Sequence, residues 1–276
     1  MKTRDAAVEG RFYPSSKKGI FDQIRNIESM GTYPDIGLEI GRVYGAILPH
    51  AGHIYSGHQT VPFFKLISRI KVIPDTFIII HPNHTGLGLP VAIDDSDTWI
   101  NSVGEVKLDH ELASAMNLPF DHLSHVREHS AEVIIPFMQY YLPEGSFSIV
   151  PVCLLDQSYT SASGIASKIS KAIEVTGRKT MVIASSDFSH FLSPDKGMEK
   201  DQLVIDQILS GNSSGVEQAV KEFHISVCGY GPIMVLMEYA RSCNENYRSE
   251  ILAKGHSGQV TPSREVVDYI SMILFQ

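Results

Sequence analysis

Five of the twelve histidines, His50, His53, His58, His81 and His84, crowd into one short stretch of the chain. Two of them stand at similar corners: His50 follows Pro49 in LPHAGH, and His84 follows Pro82 and Asn83 in HPNH. Proline lacks an N–H donor and restricts the residue before it, so an apolar strand running into one ends sharply. An imidazole fixed at such a corner can aim one ring nitrogen outward as a metal ligand. Either residue alone reads more simply as a hydrogen-bonded loop histidine; the parallel placement of both favours a shared metal. Cys228, in VCGYGP ahead of a helical segment, offers a third ligand, because a thiolate is favoured near a helix N-terminus. Most free cysteines are small buried hydrophobes, and Cys153 and Cys243 suit that role better.

Two further polar clusters qualify. SSDFSH, Ser185 to His190, closes the apolar run KTMVIA with hydroxyls, a carboxylate and an imidazole. EHSAE, Glu128 to Glu132, precedes VIIPFMQYYL; Glu128 reads as a carboxylate at a helix start, with His129 and Glu132 on one helical face. His129 then serves as a ligand, a proton shuttle or a partner that orients a ligand, the last being favoured. Pro136 should kink or begin a helix. Two tempting motifs fail on context. GNSSG follows a helical segment rather than a strand, so it is a helix terminus and not a nucleophile elbow. His50 and His53 lack the glutamate of the helical zinc signature. A serine hydrolase built on Ser186 or Ser189 with His190 has nothing to position an oxyanion hole.

These clusters need elements to hold them. VYGAIL, TFIII, FSIVPVCLL and KTMVIA are apolar, β-branched runs that predict strands buried on both faces. ASGIASKISKAIEV, EKDQLVIDQIL and GPIMVLMEYARS repeat their apolar residues at helical spacing. The alternation predicts an α/β fold in three layers around a mixed, largely parallel sheet, with YRSEILA and EVVDYISMILF adding antiparallel strands. PHAGH, HPNH and SSDFSH each follow a strand, and open α/β sheets bind ligands at the carboxyl ends of their strands. Gly52 and Gly57 are read as permitting the turn after His50. Without repeats or long linkers, residues 1–276 are expected to form one domain.

Composition narrows the partners. A formal charge of −8 with no basic cluster argues against nucleic acid. No segment has the length and apolarity of a membrane span or a secretory signal, so a cytoplasmic protein is expected. Three widely spaced cysteines suggest neither a disulfide framework nor a four-thiolate zinc site.

Taken in order, AAVEGRFYP, LPHAGHIYSG, HPNH, EHSAE with IPF, SSDFSH and VCGYGP resemble the Memo family, protein B of the AmmeMemoRadiSam gene set. The resemblance implies a fold similar to class III extradiol dioxygenase catalytic subunits, in which two histidines and a glutamate hold iron. It places the metal on His50, His84 and Cys228. His190 matches the acid/base histidine, accompanied by Asp187, with His129 as a further catalytic candidate. Tyr55, His53, His81, Ser186 and Tyr230 are expected to line the substrate pocket. A carboxylate–imidazole hydrogen bond within SSDFSH would fix the His190 tautomer. The chain departs from the family pattern at His53, His81, Asn83, Thr85, Tyr230 and Gly231, so the pocket lining does not transfer.

Replacing a carboxylate ligand by a thiolate shifts metal preference toward copper, zinc or thiolate-bound iron. The expectation is a redox enzyme using iron or copper on an unidentified small-molecule or peptide substrate. The alternatives are a non-enzymatic metal- or partner-binding protein and a zinc-dependent hydrolase. Gene-set association adds a radical SAM protein and an AMMECR-like protein as pathway partners.

Overall fold

The computed structural model describes residues 2–31, 41–70 and 73–276. In chain order its elements are β1 (Thr3–Asp5), α1 (Lys17–Met30), β2 (Val43–Leu48), α2 (His53–Ile67), β3 (Thr76–Pro82), β4 (Val91–Ile93), β5 (Thr98–Asn101), β6 (Gly104–Lys107), α3 (His110–Ala115), α4 (Ile135–Tyr141), β7 (Ser148–Leu154), α5 (Tyr159–Thr176), β8 (Thr180–Ser185), β9 (His190–Leu192), α6 (Pro194–Leu209), α7 (Ser213–Glu222), α8 (Tyr230–Cys243), β10 (Arg248–His256) and β11 (Val266–Phe275).

The four apolar runs become β2, β8, β3 and β7, which lie side by side and parallel. β11 and β10 extend one edge in antiparallel fashion and β4 the other, so the main sheet is mixed with a parallel centre. Side chains alternate faces along a strand. On β8, Val182 and Ala184 pack into a core shared with α5, α6, α7 and α8. Met181 and Ile183 point the other way, into a core with α1, α2 and α4. Helices therefore cover both faces, as continuous apolar strands require. No described helix is long and apolar enough to cross a membrane.

A second, three-stranded sheet, β1-β5-β6, carries the N-terminal segment. That segment is tied down by one buried ion pair. Arg4 donates from Nη1 to Glu132 Oε2 at 2.9 Å, and both side chains are at most 3% exposed. Glu132 also accepts from the amides of Ala7 and Val8 and from the Tyr13 hydroxyl. Arg4 further donates to the carbonyls of His125 and Glu128 and lies over the Trp99 ring. AAVEGRFYP is thus the strap that Glu132 binds.

The helix in this region starts later than expected. Residues 128–131 are not helical, with Ser130 and Ala131 in a turn; Glu132–Ile134 form a 3-10 turn, and α4 begins at Ile135 with Pro136 in its first turn. His129 and Glu132 consequently do not share a helical face. Gly57 lies inside α2 rather than in the preceding turn; a Cβ there would approach Ile27 Cδ1 to 2.8 Å, so it serves helix packing. Cys243 is exposed and not part of a core, whereas Cys153 is fully buried.

Removing one member of a buried ion pair leaves the other charge uncompensated, a loss of about 3–5 kcal/mol. Glu132→Ala is expected to lower unfolding free energy by about that amount, measured by urea denaturation against the unaltered chain.

Candidate metal centre

β8 lies between β2 and β3, so the ends of these three strands are neighbours. The loops after β2 and β3 bring His50 and His84 together with Cys228, which lies in the segment before α8, with ligand atoms within 4.8 Å of one another. His50 Nε2 lies 3.2 Å from Cys228 Sγ. Two ligands of one transition metal stand about 3.5 Å apart when each bond is just over 2 Å, so the spacing fits a shared ion.

The hydrogen bonds fix which nitrogens are available. Ser185 Oγ spends its proton on the Ser130 carbonyl at 2.6 Å, so it can only accept from His50 Nδ1 at 2.7 Å. His50 is therefore protonated on Nδ1 and presents a bare Nε2 toward Cys228. His84 Nδ1 donates to Glu128 Oε1 at 2.9 Å, which likewise frees its Nε2. Burial, with His84 and His129 close by, holds His50 far below the ordinary histidine range, so its ring is a neutral ligand.

Glu128 is buried and surrounded by donors: the His84, His129 and Ser130 amides and the His84 ring. Burial would raise its pKa, but the His84 hydrogen bond and charge outweigh that and hold it well below the carboxylate range. The sequence reading of Glu128 as a helix cap is corrected: no helix begins there, and the carboxylate orients His84. His129 stacks on His84 with ring centroids 4.8 Å apart and stands 5.5 Å from His50. Its Nδ1 is 3.2 Å from Glu128 Oε1, and burial, opposed in part by Glu128, lowers it to about 4. His84, Glu128 and His129 make a second group of ligand atoms sharing His84. Asn83 shapes the His84 loop, its side-chain oxygen accepting from the Thr85 and Gly86 amides.

SSDFSH runs beside ISVCG. Cys228 N donates to the Asp187 carbonyl, Asp187 N to Cys228 Sγ at 3.1 Å, and Gly229 N to Ser186 Oγ. A Cβ on Gly229 would strike the Ser185 carbonyl, so only glycine allows this approach. Asp187 Oδ1 accepts from the His50 amide at 2.8 Å; burial raises this carboxyl to about 6. Burial, with the nearby Asp187 charge, also raises the Cys228 thiol well above its usual range, so the metal-free thiol keeps its proton. That corrects the expectation of a helix-stabilised thiolate: Cys228 needs a metal to ionise.

The expected hydrogen bond between Asp187 and His190 is not made. His190 Nδ1 donates instead to the Ser226 carbonyl at 2.9 Å, leaving Nε2 as the free nitrogen. His190 is close enough to His50 and Asp187 to act on both electrostatically. The carboxylate–imidazole pair of this centre is Glu128 with His84.

Three residues expected to line the substrate pocket are fully buried. His53 is fully buried, stacked on Tyr13 and packed on Phe137, with Nε2 bonded to the Val133 carbonyl. His81 is fully buried in a relay. His125 Nε2 donates to the Ala92 carbonyl, its Nδ1 lies 3.3 Å from His81 Nε2, and His81 Nδ1 lies 3.0 Å from Ser130 Oγ, which donates toward the Pro82 carbonyl and Glu128 Oε1. Ser186 is buried, donating to the Asp187 carbonyl. Tyr55 and Tyr230 remain partly exposed, Tyr55 at the start of α2 with its hydroxyl 3.4 Å from Thr261 Oγ1, and Tyr230 as the first residue of α8. Asp94, Asp95 and His122 form a third ligand-bearing group, but Asp94 is already engaged by Trp99 Nε1, Ser96 and His122.

Comparison with known proteins gives a consistent placement. Residues 4–273 match the family model described as Memo-like protein. A MEMO1 family protein of Archaeoglobus fulgidus is 38% identical over 274 residues, covering 98% of each chain. Another, of Methanococcoides burtonii, is 35% identical over 276 residues, covering 98% of this chain and 99% of its own. A solved structure of an uncharacterized protein from Escherichia coli K12 superposes with a TM-score of 0.59 at 12% identity, covering 85% of this chain and 100% of that one, a likeness of fold. With the match running almost end to end and through every motif that builds the centre, the chain belongs to the Memo-like protein family.

Proposed function

We propose that the protein is a metal-dependent oxidoreductase whose cleft holds one iron or copper ion on His50 Nε2, His84 Nε2 and Cys228 Sγ. The observation that carries this reading is the convergence of these three groups at adjacent strand ends, with both imidazole tautomers set by neighbouring side chains. A thiolate with two imidazoles suits copper or thiolate-bound iron, accommodates zinc, and disfavours the hard cations magnesium and calcium. When bound, such an ion supplies one-electron chemistry and coordination positions open to substrate. The placement of ligands at the carboxyl ends of a largely parallel sheet is also that of the class III extradiol dioxygenases. Three free cysteines suit a reducing, cytoplasmic setting.

The chain's own residues divide the remaining work. Glu128 and Ser185 orient the ligand rings, and Asp187 pins the His50 corner through its amide. The His84 side chain, 35% exposed, marks the side from which substrate reaches the cleft. His190, with Nε2 free, holds or moves a proton at the rim, and His129 does so beside His84. Tyr55 and Tyr230 contact substrate on the outer side.

Protein prepared without oxygen should bind one equivalent of iron or copper, and Cys228→Ala and His84→Ala should each abolish it, read by elemental analysis. Binding indifferent to Cys228 would defeat the proposal. Glu128→Gln should keep all three ligands yet weaken metal affinity about 10- to 100-fold, as loss of a partner that orients a ligand does. Competition with a chelator of known affinity measures this.

A further inference from the structure

Three non-glycine residues among those described have positive φ: Asn117 at 50°, His224 at 49° and Phe191 at 58°. Asn117 and His224 are polar and stand just past the ends of α3 and α7, where a left-handed residue ordinarily closes a helix. Phe191 has no such reason. It lies within β9, and a bulky side chain in the left-handed region is a strained outlier. Val266 of β11 faces Leu192 and Val267 faces His190, which leaves Phe191 as the extra residue of a β-bulge. The bulge does not bury the ring, for Phe191 is 74% exposed. Strain, lost pairing and a wetted aromatic ring thus meet in one residue, and the fold gains little packing in return. Such a conjunction points to function.

What the bulge achieves is direction. His190 is held at its amide and at Nδ1 by Ser226, so its ring is fixed with Nε2 free. The Phe191 ring stands beside it, with centroids 5.9 Å apart and planes tilted by 55°. His190 in turn acts on His50 and Asp187 of the metal centre. On the partner strand, the Val267 amide donates to Ser257 Oγ, which brings the 257–261 turn, with Tyr55 reaching Thr261, to the border of the same strand pair. A water-facing apolar ring next to a free imidazole nitrogen suits a molecule with a polar reacting end and an apolar group directly beyond it. A sugar or another wholly polar compound would leave the ring without a partner.

We infer that Phe191 is a specificity-determining residue of this cleft, its ring receiving an apolar group of the substrate beside the polar end that meets His190 Nε2. The substrate, on the reading of the cleft as a substrate site on which this assignment rests, is therefore amphipathic.

The test uses full-length protein with ring-labelled phenylalanine, loaded with iron(II) without oxygen and titrated with 4-phenylimidazole or with imidazole. Both probes offer the same polar end, and only one carries an apolar ring. The Phe191 signals, assigned by their absence from Phe191→Gly, should shift saturably with phenylimidazole. That probe should bind at least about tenfold more tightly than imidazole, as burial of roughly half a phenyl group provides, and Phe191→Gly should cut the preference at least about threefold. The same substitution removes the left-handed strain, so the thermal unfolding midpoint should not fall and is expected about 2 °C higher. Should the unaltered protein take up no metal, the metal reading fails by itself. The titration repeated on the metal-free cleft then decides the role of Phe191, whose contact is with the apolar ring and not with the ion. Absence of a saturable Phe191 shift, a preference undiminished in Phe191→Gly, or a lower unfolding midpoint in that variant overturns the assignment.

Discussion

A carboxylate withdrawn from water must be surrounded by donors, and the site is organised around how Glu128 meets that demand. Its donors are the amides of His84, His129 and Ser130 and the Nδ1–H of His84. Satisfying the carboxylate thus closes the HPNH loop against the EHSAE turn, and in the same step turns the other nitrogen of His84 outward. His129 is carried into place beside it by its own amide. The buried pair of Arg4 with Glu132, four residues on, anchors this turn to the N-terminal strap, so that fold stability and ligand geometry depend on neighbouring acids in one short segment.

The two histidine ligands are prepared by different means to the same end. His84 leans on an ionised carboxylate, which raises its basicity as a ligand; His50 leans on a neutral hydroxyl whose proton is committed to Ser130. Ser130 itself also touches the His81 relay, so the layer beneath the ligands is continuous from Glu128 to His125. In such a layer each donor already has its acceptor, and flipping one imidazole would leave a neighbouring buried group unpaired. The arrangement resists rotation of the rings even before a metal binds.

What the sequence disclosed follows from what periodicity and strand ends can encode. The four central strands were legible because β-branched runs buried on both faces have no other stable home, and the two histidine ligands because such runs end at them; Cys228 stands ahead of a helix instead. The order β2-β8-β3, which places SSDFSH between the two histidine corners, is long-range topology and left no local trace. Glu128 was misread because an acid before an apolar run has the local signature of a helix start. Only the fold reveals that the helix starts at Ile135 and that the acid is buried. His53 and His81 misled for a related reason: a histidine packed in the core and one facing the cleft share the same local sequence, and only burial separates them. The carboxylate–imidazole bond was expected as a type of interaction but placed on the wrong pair, because proximity in sequence put Asp187 next to His190 while backbone geometry sent the two side chains apart.

SSDFSH ties these strands of argument together. Ser185 sets the His50 tautomer, Ser186 holds the Gly229 amide next to Cys228, Asp187 holds the His50 amide, and Ser189 is held by Asp201. The first three of these residues serve the metal centre, and Ser189 turns away from it to α6. His190 follows directly and is fixed at both its amide and its ring by Ser226. Asp201, on α6, therefore fixes the residue that immediately precedes His190, so α6 and the metal centre meet in one short piece of backbone.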